Sequence, residues 1–194
     1  AHAVGRRWQI TALNGLERSS SKLLADSHPK GGCQLFRYNH RMTKLIPMTQ
    51  PEFEAFLERS IPEYAAEHVR AGNWIESESL EKSRKEFEKL LPQGLNSADN
   101  FLYTLYDGEE AVGMIWMKIR DHRSKSGFIY DVFINERFRG KGYGKSLMLL
   151  LEEKAREMEL GSLELHVFGS NHVARKLYET IDYKVTSVNM SKKL

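Results

Sequence analysis

The sequence has a single cysteine, Cys33, so no intramolecular disulfide can form. A chain of 194 residues is long enough to bury a core without one. This suits a reducing compartment, and a cytoplasmic protein is expected. No His or Asp spacing around Cys33 marks it as a nucleophile or metal ligand, and it reads as a bystander. A run of about 18 apolar residues is also missing, so no membrane-spanning helix is expected. Strong charge of one sign is lacking too. The formal net charge is +3, but residues 1–41 hold seven basic against two acidic side chains, which leaves −2 for the remainder. A nucleic-acid partner for the main domain therefore has no electrostatic motive. Internal repeats and low-complexity tracts are absent.

What is there begins at Met42. Residues 1–41 show no sustained period of 2 or 3.6 and read as an extension outside the domain; residues 42–194 are the domain. A transit peptide is the competing reading of the extension, weakened by the lack of a clear amphipathic helix. Deleting residues 1–41 is expected to leave stability and activity nearly intact.

The domain reads β α α β β β α β α β. "TKLIPM" is a short strand, and "QPEFEAFLERSIPEYAAEHVRAG" is a helix that Pro62 breaks or kinks. "SESLEKSRKEFEKLLPQG" is a second helix, capped by Ser77 or Ser79 and closed by Pro92 and Gly94. "NFLYTLY" and "AVGMIWMKI" form a hairpin about "DGEE". "GFIYDVFI", apolar on both faces apart from Asp131, is a central strand. A helix follows with Leu147, Leu151, Ala155 and Met158 on one face, ended by Gly161. "SLELHVF", "NHVARKLYETI" and "YKVTSVNM" add a strand, a short helix and a last strand. The fold class is α/β, with a mixed central sheet flanked by helices.

Between the central strand and its helix lies "FRGKGYGKS". A strand, a glycine loop and a helix N-terminus together favour phosphate, because the first helical turn offers unpaired N–H groups and a positive dipole end. Gly144, Lys145 and Ser146 spell the end of a P-loop, but that motif needs a glycine at position 139, which is Arg. A dinucleotide fingerprint fails as well, since Gly140, Gly142 and Gly144 are each two apart. A plain glycine turn stays open on spacing alone.

With Arg139 included, Arg139-Gly140-Lys141-Gly142-Tyr143-Gly144 fits R/Q-x-x-G-x-G/A and resembles the acetyl-coenzyme A pyrophosphate loop of the GNAT superfamily of N-acetyltransferases. A second stretch, "NHVARKLYETIDY", resembles that family's N-x-x-A-x-x-L-Y-E-x-x-G-F/Y segment at Asn171, Ala174, Leu177, Tyr178, Glu179 and Tyr183. Asp182 departs from it, standing where the family usually has Gly. Asp tolerates the left-handed turn this position needs, though less well than Gly. The resemblance covers about residues 43–194.

The resemblance implies acetyl-coenzyme A as co-substrate; His122 and His172 show no metal-like pairing, and no metal is expected. It implies that the pantetheine arm pairs with the backbone of Val132, Phe133 and Ile134, a main-chain N–H near Phe133 or Ile134 facing the carbonyl oxygen. The amides of Gly140, Gly142, Tyr143 and Gly144 would hold the pyrophosphate, with Arg139, Lys141 and Lys145 adding charge, and Asn171 would bond the pantetheine or a water. Tyr178 occupies the position of the family's general acid. A phenol with an ordinary pKa near ~10 stays protonated at neutral pH and can protonate a thiolate. It can equally serve only to pack on the coenzyme.

For a general base, Asp131 has a physical claim as a lone acid in an apolar strand. Glu164, His166, Glu76 and ordered water are alternatives. The acceptor is expected to be a small-molecule or peptide amine. Residues 51–91 hold ten Glu against six Lys or Arg, a balance that suits a cationic amine but equally a solvated helix face. The rival function is a non-catalytic acyl-coenzyme A binding or regulatory module. Dimers are common in the family, and a homodimer is compatible with the sequence.

Overall fold

The apolar periodicities above are realised in a computed structural model that describes residues 43–169, 171–188, 190 and 192. The expected extension, with Cys33, lies outside the described residues. In chain order the elements are β1 (Thr43–Pro47), α1 (Gln50–Arg70), α2 (Glu76–Leu90), β2 (Asn100–Asp107), β3 (Glu110–Asp121), β4 (Ser126–Ile134), α3 (Tyr143–Glu157), β5 (Ser162–Leu165) and α4 (His172–Glu179). Five strands form one sheet in sequence order, antiparallel from β1 to β4 and parallel between β4 and β5. Only that parallel step needs a crossover, and α3 supplies it.

Each face of the sheet has its own core. Leu105, Ile115, Ile129, Val132 and Ile134 pack with Leu147, Met148 and Leu151 of α3 and with Ala174 and Tyr178 of α4. On the opposite face, Trp116, Phe128 and Tyr130 pack with Phe53, Phe56 and Tyr64 of α1 and Phe87 of α2. Ser83 ties the two helices together by donating to the Ile61 carbonyl, and Trp116 donates to Asn100 from the core. The helices therefore clamp the sheet from two sides, and β4 is buried on both.

The local chemistry departs from expectation in several places. α1 runs through Pro62 without a break. Neither Ser77 nor Ser79 caps α2. Ile75 holds the cap position, and Ser79 donates to the Glu76 carbonyl inside the first turn, where Glu76 and Glu78 face the positive helix end. Gly161 does not turn the chain out of α3. Glu159 does, at φ 56°, and Leu160 and Gly161 then lead into β5. The last expected strand is not formed over the described residues 183–188, which carry no strand and expose Val185 and Val188. Strand-like alternation finds no strand partner there among the described residues, and pairing, not alternation, makes a strand.

Asp182 sits at φ 67°, the left-handed conformation expected of the position that usually carries Gly. Asp182→Gly is expected to stabilise the protein by about 0.5–1 kcal/mol, the relief of the Cβ clash less the glycine's extra chain entropy. Chemical denaturation with an unchanged slope checks it.

Candidate active site

The glycine loop is shaped by two left-handed residues. Gly140 has φ 72°, with nothing within 4 Å of where a Cβ would stand, so its glycine answers to backbone conformation and not to crowding. Gly142 has φ 88° and is the N-cap of α3, a helix whose start no side chain caps. A small cavity of about 60 Å³ opens there, lined by Ile134, Phe138, Gly140, Gly142, Gly144 and Val173. Val173 belongs to α4, so the two sequence motifs, some thirty positions apart, meet at one cavity.

The charged and aromatic loop residues divide the work. Arg139 donates through Nε to the Ile134 carbonyl at 3.1 Å and reaches Glu136 at 3.3 Å, fastening the loop to the end of β4. Lys141 is exposed and Lys145 half-buried, both beside the loop. Tyr143 is buried and its hydroxyl donates to Asp107, anchoring the start of α3 to the end of β2. Backbone, helix end and cations together offer what an anionic ligand needs.

β4 leads from this loop into the sheet, and its neighbours leave it in turn. Pairing with β5 ends at Ile129↔Leu165, so along Tyr130–Ile134 no strand lies beside that edge among the described residues. On the other side a bulge interrupts the ladder: Trp116 pairs with Asp131 but Met117 pairs with Ile129, leaving Tyr130 as the extra residue. Tyr130 and Asp131 consequently share a face, instead of alternating. Tyr130 stacks on Trp116 at 4.7 Å, and Asp131 meets α1, its Oδ2 accepting from Arg59 at 3.2 Å and Ser60 at 3.0 Å. Val132 and Ile134 point into the α3 core, and Phe133 is half-buried under the Arg59 guanidinium, 3.9 Å from its ring centre.

On α4, Asn171 caps the helix by accepting from the Ala174 amide at 3.0 Å, which fixes the first turn of the element that carries Tyr178. Tyr178 is 3 % exposed and its hydroxyl has no hydrogen-bond partner among the described residues; the Tyr183 hydroxyl, 5.8 Å away ring to ring, has none either. Burial pushes the Tyr178 phenol well above its ordinary value, with the Tyr183 and Asp131 charges adding to the effect. The group stays a proton donor at any ordinary pH.

Of the basic alternatives, Glu164 and Glu76 are exposed, and His166 is half-buried just past β5. Sequence reasoning missed the inner stripe of α1. Arg59, Glu63 and Glu67 recur at intervals of four, and Glu67 is buried with its Oε2 unpartnered among the described residues. Burial raises both carboxyls, that of Glu67 to about 7. A signal was available: Glu67 repeats at seven residues from Ser60 and fourteen from Phe53, both inward positions.

The fold is mixed α/β, with an open-edged central strand, a glycine loop at its end that suits an anion, and a buried phenol in the core on the α3 face of the sheet. The chain belongs to the Acetyltransferase (GNAT) family, whose model matches residues 63–183. It is similar to the uncharacterized N-acetyltransferase YycN of Bacillus subtilis, 40 % identical over 152 residues, which are 77 % of this chain and 97 % of YycN. A second B. subtilis protein, the uncharacterized N-acetyltransferase YdgE, is 36 % identical over 152 residues, again 77 % of this chain and 97 % of that one. The crystal structure of YycN superposes with a TM-score of 0.74 over 78 % of this chain and 98 % of that one. The PaiA N-acetyltransferase of Thermoplasma acidophilum, solved with coenzyme A, shares the fold at TM-score 0.57 and 19 % identity, covering 76 % of this chain and 92 % of that one.

Proposed function

We propose that residues 42–194 transfer the acetyl group of acetyl-coenzyme A to a primary amine by direct attack, with Tyr178 as the general acid. The observation that carries this reading is the buried Tyr178 hydroxyl, unpartnered among the described residues, in the core that it shares with Val132 and Ile134 of the open-edged strand. A donor left unpaired in a folded core costs free energy, and a ligand that arrives along that edge supplies its partner. The co-substrate's contribution is an activated thioester.

The chain's residues do the rest. The amides of Gly140, Gly142, Tyr143 and Gly144, with Arg139, Lys141 and Lys145 near them, hold the pyrophosphate. Val132, Phe133 and Ile134 pair through their backbone with the pantetheine arm and turn an N–H toward the carbonyl oxygen. Asn171 holds α4 in place and adds a polar contact. Tyr178 protonates the departing thiolate. We place the reaction in the cytoplasm, in keeping with the lone Cys33, and take the acceptor to be a small-molecule or peptide amine.

An acceptor screen tests the reading: free thiol release from acetyl-coenzyme A with spermidine, an aminoglycoside, amino-acid amides and a lysine-containing peptide. Amine-dependent release, with the acetylated product seen by mass spectrometry, is the expected result. Coenzyme binding without turnover on any amine would instead identify a binding module.

A further inference from the structure

Three buried oxygens from three elements lack partners among the described residues: Glu67 Oε2 on α1, Asp131 Oδ1 on β4 and the Tyr178 hydroxyl on α4. Glu67 is 8 % exposed and Asp131 6 %. They are electrostatically joined, since the Asp131 charge acts on Glu63, on Glu67 and on Tyr178 alike. The joining has a geometric basis. Arg59 and Ser60 bind Asp131 directly, Glu63 binds Arg59 at 3.1 Å, and Glu67 lies one turn further along the same stripe. The bulge at Tyr130 is what turns Asp131 toward this stripe. Two carboxyl groups, those of Asp131 and Glu63, thus pair with one enclosed cation, Arg59, and Glu67 lies a turn beyond with Arg70 at the solvent edge 3.8 Å away.

Buried carboxylate oxygens without donors are costly. An ammonium group is the complementary ligand, offering three donors and no acceptor. The position is compatible: α3 packs on one face of the sheet and the acids on the α1 face, with Asp131 on β4 itself, the strand whose edge β5 leaves open. We propose that Glu67, with Glu63 and Asp131, forms the subsite for a cationic primary amine, and that Glu67 is the general base that deprotonates it. This rests on the acetyl-transfer reading above.

In the step so defined, Glu67 Oε2 takes one proton from the ammonium and frees its lone pair. The nitrogen bonds to the thioester carbonyl carbon, the C–S bond breaks, and Tyr178 gives its proton to sulfur. The second proton shed by nitrogen restores Tyr178, and the proton on Glu67 leaves to solvent. The sum is an ammonium and a thioester giving an amide, a thiol and a proton. Burial holds the Glu67 carboxyl up at about 7, against the opposing pull of Arg70 and with Asp131 and Glu63 reinforcing it, so the base is available and not spent at neutral pH.

The test is Glu67→Gln, read as a pH profile of kcat/KM with whichever cationic amine of the screen the wild type acetylates. The expected result is a loss of about 50-fold at pH 7, near the lower end for general-base catalysis, with the wild-type limb near pH 7 gone and acetyl-coenzyme A affinity within about threefold. A merely structural glutamate would leave the limb where it was. Stability moves the opposite way. A folded-state pKa above the unfolded 4.5 gives stability at low pH that is lost as pH rises through about 7, so Gln should remove that loss and leave the variant relatively more stable at pH 8 than at pH 5. An unchanged limb with unchanged coenzyme affinity overturns the base but not the acetyl-transfer reading, whereas a wild type silent on every amine overturns both. Should the variant fail to bind the coenzyme, Glu67→Asp and the wild-type profile decide: a limb near pH 7 that Asp displaces supports the proposal, and its absence in the wild type sinks it.

Discussion

Tyr178→Phe is expected to slow amine acetylation by roughly 100-fold or more and, at the same time, to make the coenzyme-free protein more stable by about 1 kcal/mol. The two effects have one cause. The hydroxyl is enclosed in the core with no partner among the described residues, so the fold bears the cost of desolvating it and gains nothing from it. Phenylalanine keeps the ring in the core that it shares with Ala174 and Leu147 and removes only the oxygen. A tyrosine kept for packing would give the stability gain without the loss of rate. Tyr183→Phe is the matched control, because its hydroxyl is also buried and unpartnered but lies past the end of α4. It should gain stability and leave kcat nearly unchanged. Single-turnover measurement of thiol release, beside thermal denaturation of the same samples, separates the two readings. A Tyr178→Phe enzyme within about twofold of wild type would remove the general acid.

The second large effect lies on the neighbouring strand. Gly113 pairs with Ile134, and a Cβ placed there would stand 2.5 Å from the Phe133 carbonyl oxygen and 2.7 Å from the Ile134 side chain. Backbone cannot step aside as a flexible side chain can. Gly113→Ala is therefore expected to cost about 2–3 kcal/mol, the upper part of the range for overpacked cores. It should also raise KM for acetyl-coenzyme A by an order of magnitude or so, since the displaced backbone at Phe133 and Ile134 is the stretch proposed to pair with the pantetheine arm. Urea denaturation and coenzyme titration read the two consequences. A stable variant with native coenzyme affinity would show that β4 tolerates movement at its end.

Much of this architecture was legible because helices and paired strands write their burial into the sequence at fixed periods. The hairpin of β2 and β3 and the inward face of α3 at Leu147, Leu151 and Ala155 follow from spacing alone. The loop was legible through a resemblance, while its geometry, Gly140 and Gly142 both left-handed, is what such spacing serves. The bulge was not legible. One extra residue in β4 reverses the face of everything on one side of it, and no local pattern announces it, so strict alternation would set Asp131 opposite Tyr130, whereas the two are on the same side. Glu67 was hidden for a different reason: ten glutamates in the first two helices look like a solvated surface, and only the seven-residue return from Ser60 separates the buried one from the rest. Tyr183–Val188 failed because a strand is a relation between two segments, and the sequence of one cannot supply the other.

The departure of β5 also has a mechanical side. From Tyr130 onward β4 is a cantilever, anchored along β3 and with no strand along its other edge among the described residues, Arg139 bracing its tip through the Ile134 carbonyl. The stiffness of that beam is set by what β3 rests on, including Trp116, fastened to Asn100 and stacked under Tyr130. Loosening Trp116 would let the far end of β4 swing without touching the loop, the tyrosine or the acids. A residue on a neighbouring strand thereby sets how accurately the two faces of the sheet meet.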